Sequence, residues 1–132
     1  MPAEDVELVG RAFVAFARRD IELLLGLCHP EVEIRSLMTE AERTLYRGHQ
    51  GVREWLAAVL DVFPDWRPRL HEARDLGGAV VSSFDVTATA AISGAPIDQR
   101  YWQAARVRDG KIVWVGFFRT EEDAVEALGL GD

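Results

Sequence analysis

Hydrophobic positions in the first half of the chain recur at the spacing expected of helices. Steps of three and four residues define an apolar stripe on a first helix, made of Val6, Val9, Phe13 and Phe16. Asp20 is a favourable N-cap for a short second helix, which His29-Pro30 ends because the residue before proline disfavours the helical region. A third helix is predicted over residues 48–63, with Trp55 on its apolar face.

The second half of the chain alternates apolar and polar residues, which predicts strands. Four strands are expected at residues 66–75, 79–91, 97–108 and 111–119, after a short first strand at residues 31–36. Thr120 and Asp123 form a capping-box pattern that opens a last short helix. Helices followed by antiparallel strands predict one α+β domain over residues 1–132, with the helices packed on one face of a curved, mostly antiparallel sheet.

Charge and cysteine content narrow the class of protein. The 132 residues carry a formal net charge of −7, so binding to nucleic acid or to an anionic membrane surface is not expected. No stretch approaches the roughly 20 apolar residues that span a membrane. The N-terminal residues lack the pattern of a secretory signal, which predicts a cytoplasmic protein. Cys28 is the only cysteine and lies in an apolar run, which favours a buried small hydrophobe, and the three histidines show no metal-ligand spacing.

Three motifs, in order, resemble one known family. Residues 46–55 (YRGHQGVREW) are similar to the loop and helix of SnoaL-like proteins, residues 107–112 (VRDGKI) to their final hairpin, and residues 122–130 (EDAVEALGL) to their closing helix. The resemblance implies the cone-shaped nuclear transport factor 2-like fold, in which three N-terminal helices and a curved sheet enclose a cavity. That superfamily includes polyketide cyclases, ketosteroid isomerase-like enzymes and non-catalytic binders, so the resemblance identifies a fold and leaves the reaction open.

The Asp109-Gly110 hairpin decides which side chains face that cavity, since a one-residue slip exchanges the two faces of a strand. A two-residue loop would pair Arg108 with Lys111, whereas a three-residue loop would pair Val107 with Lys111. We favour the second, which puts Tyr101, Gln103, Ala105 and Val107 on the same face as Val113, Val115, Phe117 and Arg119. The expected ligand-binding residues are Ser36, Tyr46, Trp55, Phe84, Tyr101, Val115, Phe117 and Arg119.

The opposite face of the same hairpin carries a large apolar patch. Trp102, Trp114 and Phe118 would lie on the outside of the sheet, and such patches usually mark an interface. Members of the resembling superfamily often dimerise through this face. We therefore predict a homodimer in which these three side chains are buried in the contact.

Candidate chemistry is sparse. The resemblance places the base and the two oxyanion-hole groups of ketosteroid isomerases at Ser36, Ala12 and Gln103, and none of these keeps the required group. Glu72 is the best remaining acid, because an apolar cavity would raise its pKa toward neutrality; the alternative is that it pairs with an arginine or reaches solvent. Gln103 could donate a hydrogen bond to a carbonyl.

Two functions remain open at this point. The first is a pocket that binds a small hydrophobic molecule, in its catalytic form an isomerase-, cyclase- or lyase-type enzyme that uses Glu72 and Gln103 without a metal or organic cofactor. The second is a non-catalytic ligand-binding or dimerisation module, which Gln103 and Ser36 favour because neither side chain titrates near neutral pH.

Overall fold

The computed structural model describes residues 2–36 and 45–129 and contains a mixed sheet with helices on both faces. In chain order the elements are α1 Pro2–Ala17, α2 Ile21–Leu27, β1 Cys28–Arg35, β2 Leu45–Arg47, α3 Gly48–Val62, β3 Arg67–Asp75, β4 Ala79–Thr89, β5 Pro96–Arg108, β6 Lys111–Phe118 and α4 Glu121–Ala127. The predicted α+β class is confirmed, and most element ends fall within two residues of the prediction. The three-residue strand β2 was not predicted. No helix in the described part of the chain has the length and apolar content needed to cross a membrane.

The six strands form one sheet in the order β2-β1-β6-β5-β4-β3. Every neighbouring pair is antiparallel except β1 with β6, which run parallel. The predicted caps are present: Asp20 accepts a hydrogen bond from the backbone N–H of Leu23, and Thr120 accepts one from that of Asp123.

The main core lies between the inner face of the sheet and helices α1, α2 and α3. Helix α4 packs on the opposite face, where Ala124 and Leu128 form a second buried cluster with Ala79, Val81, Ala104 and Phe118. The expectation that all helices share one face is therefore wrong for α4. That helix buries the apolar side chains that the outer sheet face would otherwise expose.

The β5–β6 hairpin has the two-residue loop, so the favoured three-residue loop is wrong. Arg108 pairs with Lys111, and both Asp109 and Gly110 have positive φ, as a type I′ turn requires. A bulge at Val113 then shifts the register by one residue, so that Gln103 pairs with Phe117. After the bulge, Val115 and Phe117 lie on the inner face with Ala105 and Gln103, as predicted. Val113 lies on the outer face instead of the inner one.

A second bulge, in β3, changes the position of Glu72. Leu70 pairs with Phe84 and Glu72 pairs with Ser83, which leaves His71 as the extra residue. Because Leu70 faces inward, strict alternation would place Glu72 inward as well. The bulge gives that inner position to Ala73 and turns Glu72 outward.

Candidate ligand-binding cavity

The inner face of the sheet and the first three helices enclose a cavity at the centre of the main core. The centre of a water molecule could occupy a volume of about 90 Å³ inside this cavity. By the same measure a single bound water needs roughly 10–15 Å³, so the cavity has room for several waters. Its deep walls are buried side chains, including Phe13, Val32, Val52, Ile112 and Val115. The cavity is therefore large enough for a small organic molecule and mostly apolar.

Aromatic rings form a continuous chain along one side of the cavity. The Trp55 ring of α3 stacks on the Phe117 ring of β6, with centroids 5.6 Å apart and planes inclined by 10°. Phe84 of β4 contacts both Phe117 and Tyr101 at centroid distances of 6.0 Å. Trp55, Tyr101 and Phe117 are each half-buried, so these rings lie where the cavity approaches solvent.

The hydroxyls of Ser36 and Tyr101 and the amide of Gln103 belong to side chains that line the cavity. Gln103 is 7% exposed, and its amide has no hydrogen-bond partner among the described residues. Ser36 is also buried in the lining. The Tyr101 hydroxyl donates a 2.7 Å hydrogen bond to Oε1 of Gln99, which holds the phenol toward the exposed end of β5. A ligand inside the cavity would therefore meet an amide with its hydrogen-bonding capacity unused.

No carboxylate, imidazole, ammonium or guanidinium group belongs to the described lining residues. The one ionisable thiol there is Cys28, and burial raises its pKa to about 11 while nearby Lys111 lowers it slightly. A thiol with that pKa stays protonated near neutral pH and is a poor nucleophile. Apart from the Tyr101 phenol, which donates its hydrogen to Gln99, the described lining offers hydrogen bonds and shape but no side chain suited to general acid–base catalysis.

The structure brings seven of the predicted site residues together at this cavity and leaves three outside. The seven in the lining are Ser36, Trp55, Phe84, Tyr101, Gln103, Val115 and Phe117. Glu72 lies outside, with its side chain 74% exposed and one carboxylate oxygen 3.9 Å from Nε2 of His71. The placement of Glu72 in the cavity is thus corrected, because the bulge at His71 reverses the alternation of β3.

Tyr46 and Arg119 also lie outside the cavity lining. Tyr46 is on β2, at the edge of the sheet, where its backbone packs against α3 so closely that a Cβ on Gly51 would lie 2.8 Å from the Tyr46 carbonyl carbon. Arg119 is exposed, one residue beyond the end of β6, where the chain turns toward the Thr120 cap of α4.

Two buried residues near the site were missed by the sequence reasoning. Ile112 lines the cavity in place of Val113 because of the bulge in β6. Ser82 lies on β4 directly beside Gln103 and is 1% exposed. The signal for Ser82 was available: Phe84 was expected in the cavity, and strand alternation then places Ser82, two residues earlier, on the same face.

The outer sheet face carries less free apolar surface than expected. Phe118 is buried under α4 and the guanidinium of Arg35, which lies 5.5 Å from the Phe118 ring centroid. Trp102 and Trp114 are half-buried against the same cluster. Beside Trp114 lies an outer groove, lined by Glu31, Glu33, Arg106, Arg108, Val113, Trp114 and Ala127. Arg108 pairs with Glu31 at 2.9 Å along this groove.

Within residues 2–36 and 45–129, no group of three or more histidine, cysteine, aspartate or glutamate side chains is arranged to hold a metal ion.

The fold and the enclosed cavity define the class of protein, a helix-and-sheet cone of the nuclear transport factor 2-like type. One solved structure of that type, a protein of unknown function from Burkholderia pseudomallei, has a TM-score of 0.79 at 18% identity, covering 93% of this chain and 95% of that one. TerC co-crystallised with polyporic acid has a TM-score of 0.78 at 24% identity, covering 96% and 97%. IdmH from Streptomyces antibioticus, a proposed polyketide cyclase, has a TM-score of 0.73 at 24% identity, covering 93% and 96%.

The family follows from the sequence itself. The SnoaL-like domain model matches residues 9–115, which include the second half of α1, all of α2 and α3, and most of the sheet. The chain belongs to the SnoaL-like family. No curated protein matches it in sequence, and at the identities given above the structural neighbours establish the fold alone.

Proposed function

We propose that this protein binds a small, largely apolar and uncharged molecule in the central cavity. The observation that carries the proposal is the Gln103 amide, which is nine-tenths buried, lines the cavity and has no partner among the described residues. An amide that faces the cavity favours a ligand able to form a hydrogen bond with it over a ligand of the same shape without a polar group. The stacked pair of Trp55 and Phe117 provides the flat apolar surface on which such a ligand would lie.

The chemistry of the lining favours a neutral ligand. A charged ligand would have to leave water for an apolar cavity in which the described residues offer no counter-ion. A molecule with one polar group and an otherwise hydrophobic body would match the single free amide.

A cofactor-independent isomerase- or cyclase-type enzyme is the second candidate function. It is favoured by the same amide, since an N–H directed into a dry cavity would stabilise negative charge that develops on a carbonyl oxygen. In this form of the proposal Gln103 is the catalytic residue. The proton that the substrate loses in such a reaction would be taken up by another atom of the substrate, by water or by a residue outside the described lining.

A variant that fills the cavity tests the binding proposal. Neutral aromatic ketones and quinones are screened by thermal denaturation. A ligand at about ten times its Kd stabilises the fold by roughly 1.4 kcal/mol, which raises Tm by about 5 °C for a chain of this size. Ala12→Trp puts an indole where the half-buried Ala12 lines the cavity, and we expect it to abolish the shift.

Ala17→Trp is the matched control, because it makes the same change at an exposed position of the same helix. It should keep the ligand-induced shift. An Ala12→Trp protein that folds and shows the full shift would place the binding site elsewhere, and a wild-type protein that responds to no compound would reject the proposal.

We also propose that the protein forms a homodimer through the outer sheet face around Trp114. The outer groove places Glu31 and Glu33 on one side of Trp114 and Arg106 and Arg108 on the other. In a twofold dimer the same patch of each copy meets itself, so glutamates of one copy can lie opposite arginines of the other. Phe118 does not take part, because α4 already covers it.

A further inference from the structure

The buried hydroxyl of Ser82 has no evident role in the fold. Ser82 is 1% exposed, and its Oγ has no hydrogen-bond partner. A buried unpaired hydroxyl destabilises a protein, and alanine would fill nearly the same space without that penalty. Since the hydroxyl of Ser82 weakens the ligand-free protein, we look for its role in the protein with a ligand in the cavity.

Among the neighbours of Ser82 on the sheet, one has a polar side chain that faces inward. On its own strand the inward-facing neighbours are Val80 and Phe84, and on β3 its paired residue is Ala73. On β5 its paired residue is Gln103, and directly paired residues have Cβ atoms about 4.5–5.5 Å apart. Two buried polar side chains, each without a partner among the described residues, therefore stand next to each other, and one of them lines the cavity.

We propose that Ser82 is a positioning residue that sets the orientation of the Gln103 amide when a ligand is bound. In the bound state the Ser82 hydroxyl donates its hydrogen to Oε1 of Gln103. The amide then presents Nε2–H to the cavity, and the site selects ligands that carry an acceptor oxygen. The inference rests on the proposed binding function of the cavity and names the polar group that its ligand must have.

The direction of this hydrogen bond follows from the single hydrogen of the Ser82 hydroxyl. A hydroxyl has one hydrogen and two lone pairs. If Ser82 accepted from Nε2, its own hydrogen would stay unpaired among apolar neighbours, and buried donors without acceptors are rarer than under-used acceptors. Donation from Ser82 to Oε1 satisfies that hydrogen and leaves only lone pairs unused.

The experiment compares two probes of the same shape. Acetophenone carries a carbonyl oxygen where α-methylstyrene carries a CH₂ group, so the ratio of their Kd values reports the acceptor preference of the cavity. We expect Ser82→Ala to reduce this preference about fivefold, the usual effect of one neutral hydrogen bond. In the ligand-free protein the same variant should keep or raise Tm, because it removes the unpaired hydroxyl. A purely structural residue would lower Tm and leave the preference unchanged.

Two further variants make the comparison specific. Ser83→Ala changes the adjacent serine, which is buried on the other face of β4 and pairs with Trp102, and it should leave the preference intact. Gln103→Leu should abolish the preference, and adding Ser82→Ala to it should have no further effect, because the two residues act through one amide.

The outcomes separate the inference from the function on which it rests. Wild-type preference in Ser82→Ala, or an equal loss of affinity for both probes, overturns the positioning role while the cavity remains a binding site. Binding of neither probe to the wild-type protein overturns the proposed function together with the inference.

Discussion

At the scale of single residues, burial changes the chemistry of the one thiol in the chain. Cys28 is at the junction of α2 and β1 and lines the cavity. Desolvation raises its pKa from 9.0 to about 11. A raised thiol pKa means that the folded protein disfavours the thiolate, so stability from this group is present below about pH 9 and is lost as the pH rises toward 11.

We expect the folded protein to react slowly with Ellman's reagent at pH 8. The shift of Cys28 lowers its thiolate fraction about 100-fold relative to the unfolded chain, and burial slows access further. The measurement is the rate of absorbance change in buffer and in denaturing urea. Because the chain has one cysteine, a Cys28→Ser protein supplies the blank. Equal rates in the two solvents would show that the thiol is not sheltered in the native state.

At the scale of elements, the packing of the outer face of β6 depends on the glycine at position 116. A Cβ on Gly116 would lie 2.6 Å from Cη2 of Trp114 and 2.9 Å from Cε2 of Phe118. These two rings flank Gly116 on the outer face, and α4 covers Phe118. The glycine thus provides the space in which two aromatic side chains pack over the strand.

Gly116→Ala should therefore lower the free energy of unfolding by about 1–3 kcal/mol, the usual cost of overpacking. The control is Gly10→Ala in the middle of α1, where an added Cβ meets no atom within 4 Å; it should raise the free energy of unfolding by up to about 1 kcal/mol through helix propensity. Urea denaturation of both variants gives the comparison. Two changes of the same sign would contradict this account of β6.

At the scale of the whole molecule, the sheet separates two surfaces with different proposed roles. Its inner face lines the cavity, and its outer face carries α4 and the outer groove beside Trp114. Since β5 and β6 contribute to both faces, one strand pair would serve ligand binding on one side and association on the other. The two roles can therefore be separated by substitutions that point outward.

Val113→Lys should convert the proposed dimer to a monomer at micromolar concentration without loss of ligand binding. Val113 lies in the outer groove, and a lysine there would bring two like charges together across a twofold axis. Sedimentation velocity measures the change. Thr87→Lys is the control, since Thr87 is exposed near the far end of β4 and should leave the assembly intact. A wild-type monomer under the same conditions would reject the dimer.

Local patterns were enough to predict most of the architecture. Among the described elements, periodicity predicted α1, α3 and five of the six strands, and the caps at Asp20 and Thr120 predicted α2 and α4. The exception, β2, has three residues, which is too few for alternation to be detected. The inward direction of Phe84 and Tyr101 also followed from alternation, because no bulge interrupts the pairing of β4 with β5.

What the sequence determined by itself were properties fixed over a few neighbouring residues: the elements, the α+β class and the motifs typical of the SnoaL-like family. The tertiary structure decided the properties that depend on partners far along the chain. One extra residue, at His71 or at Val113, reverses the inside and outside of a strand, and whether a bulge forms is set by the neighbouring strand. For that reason Glu72 is outside the cavity, while Ser82 is left buried beside Gln103.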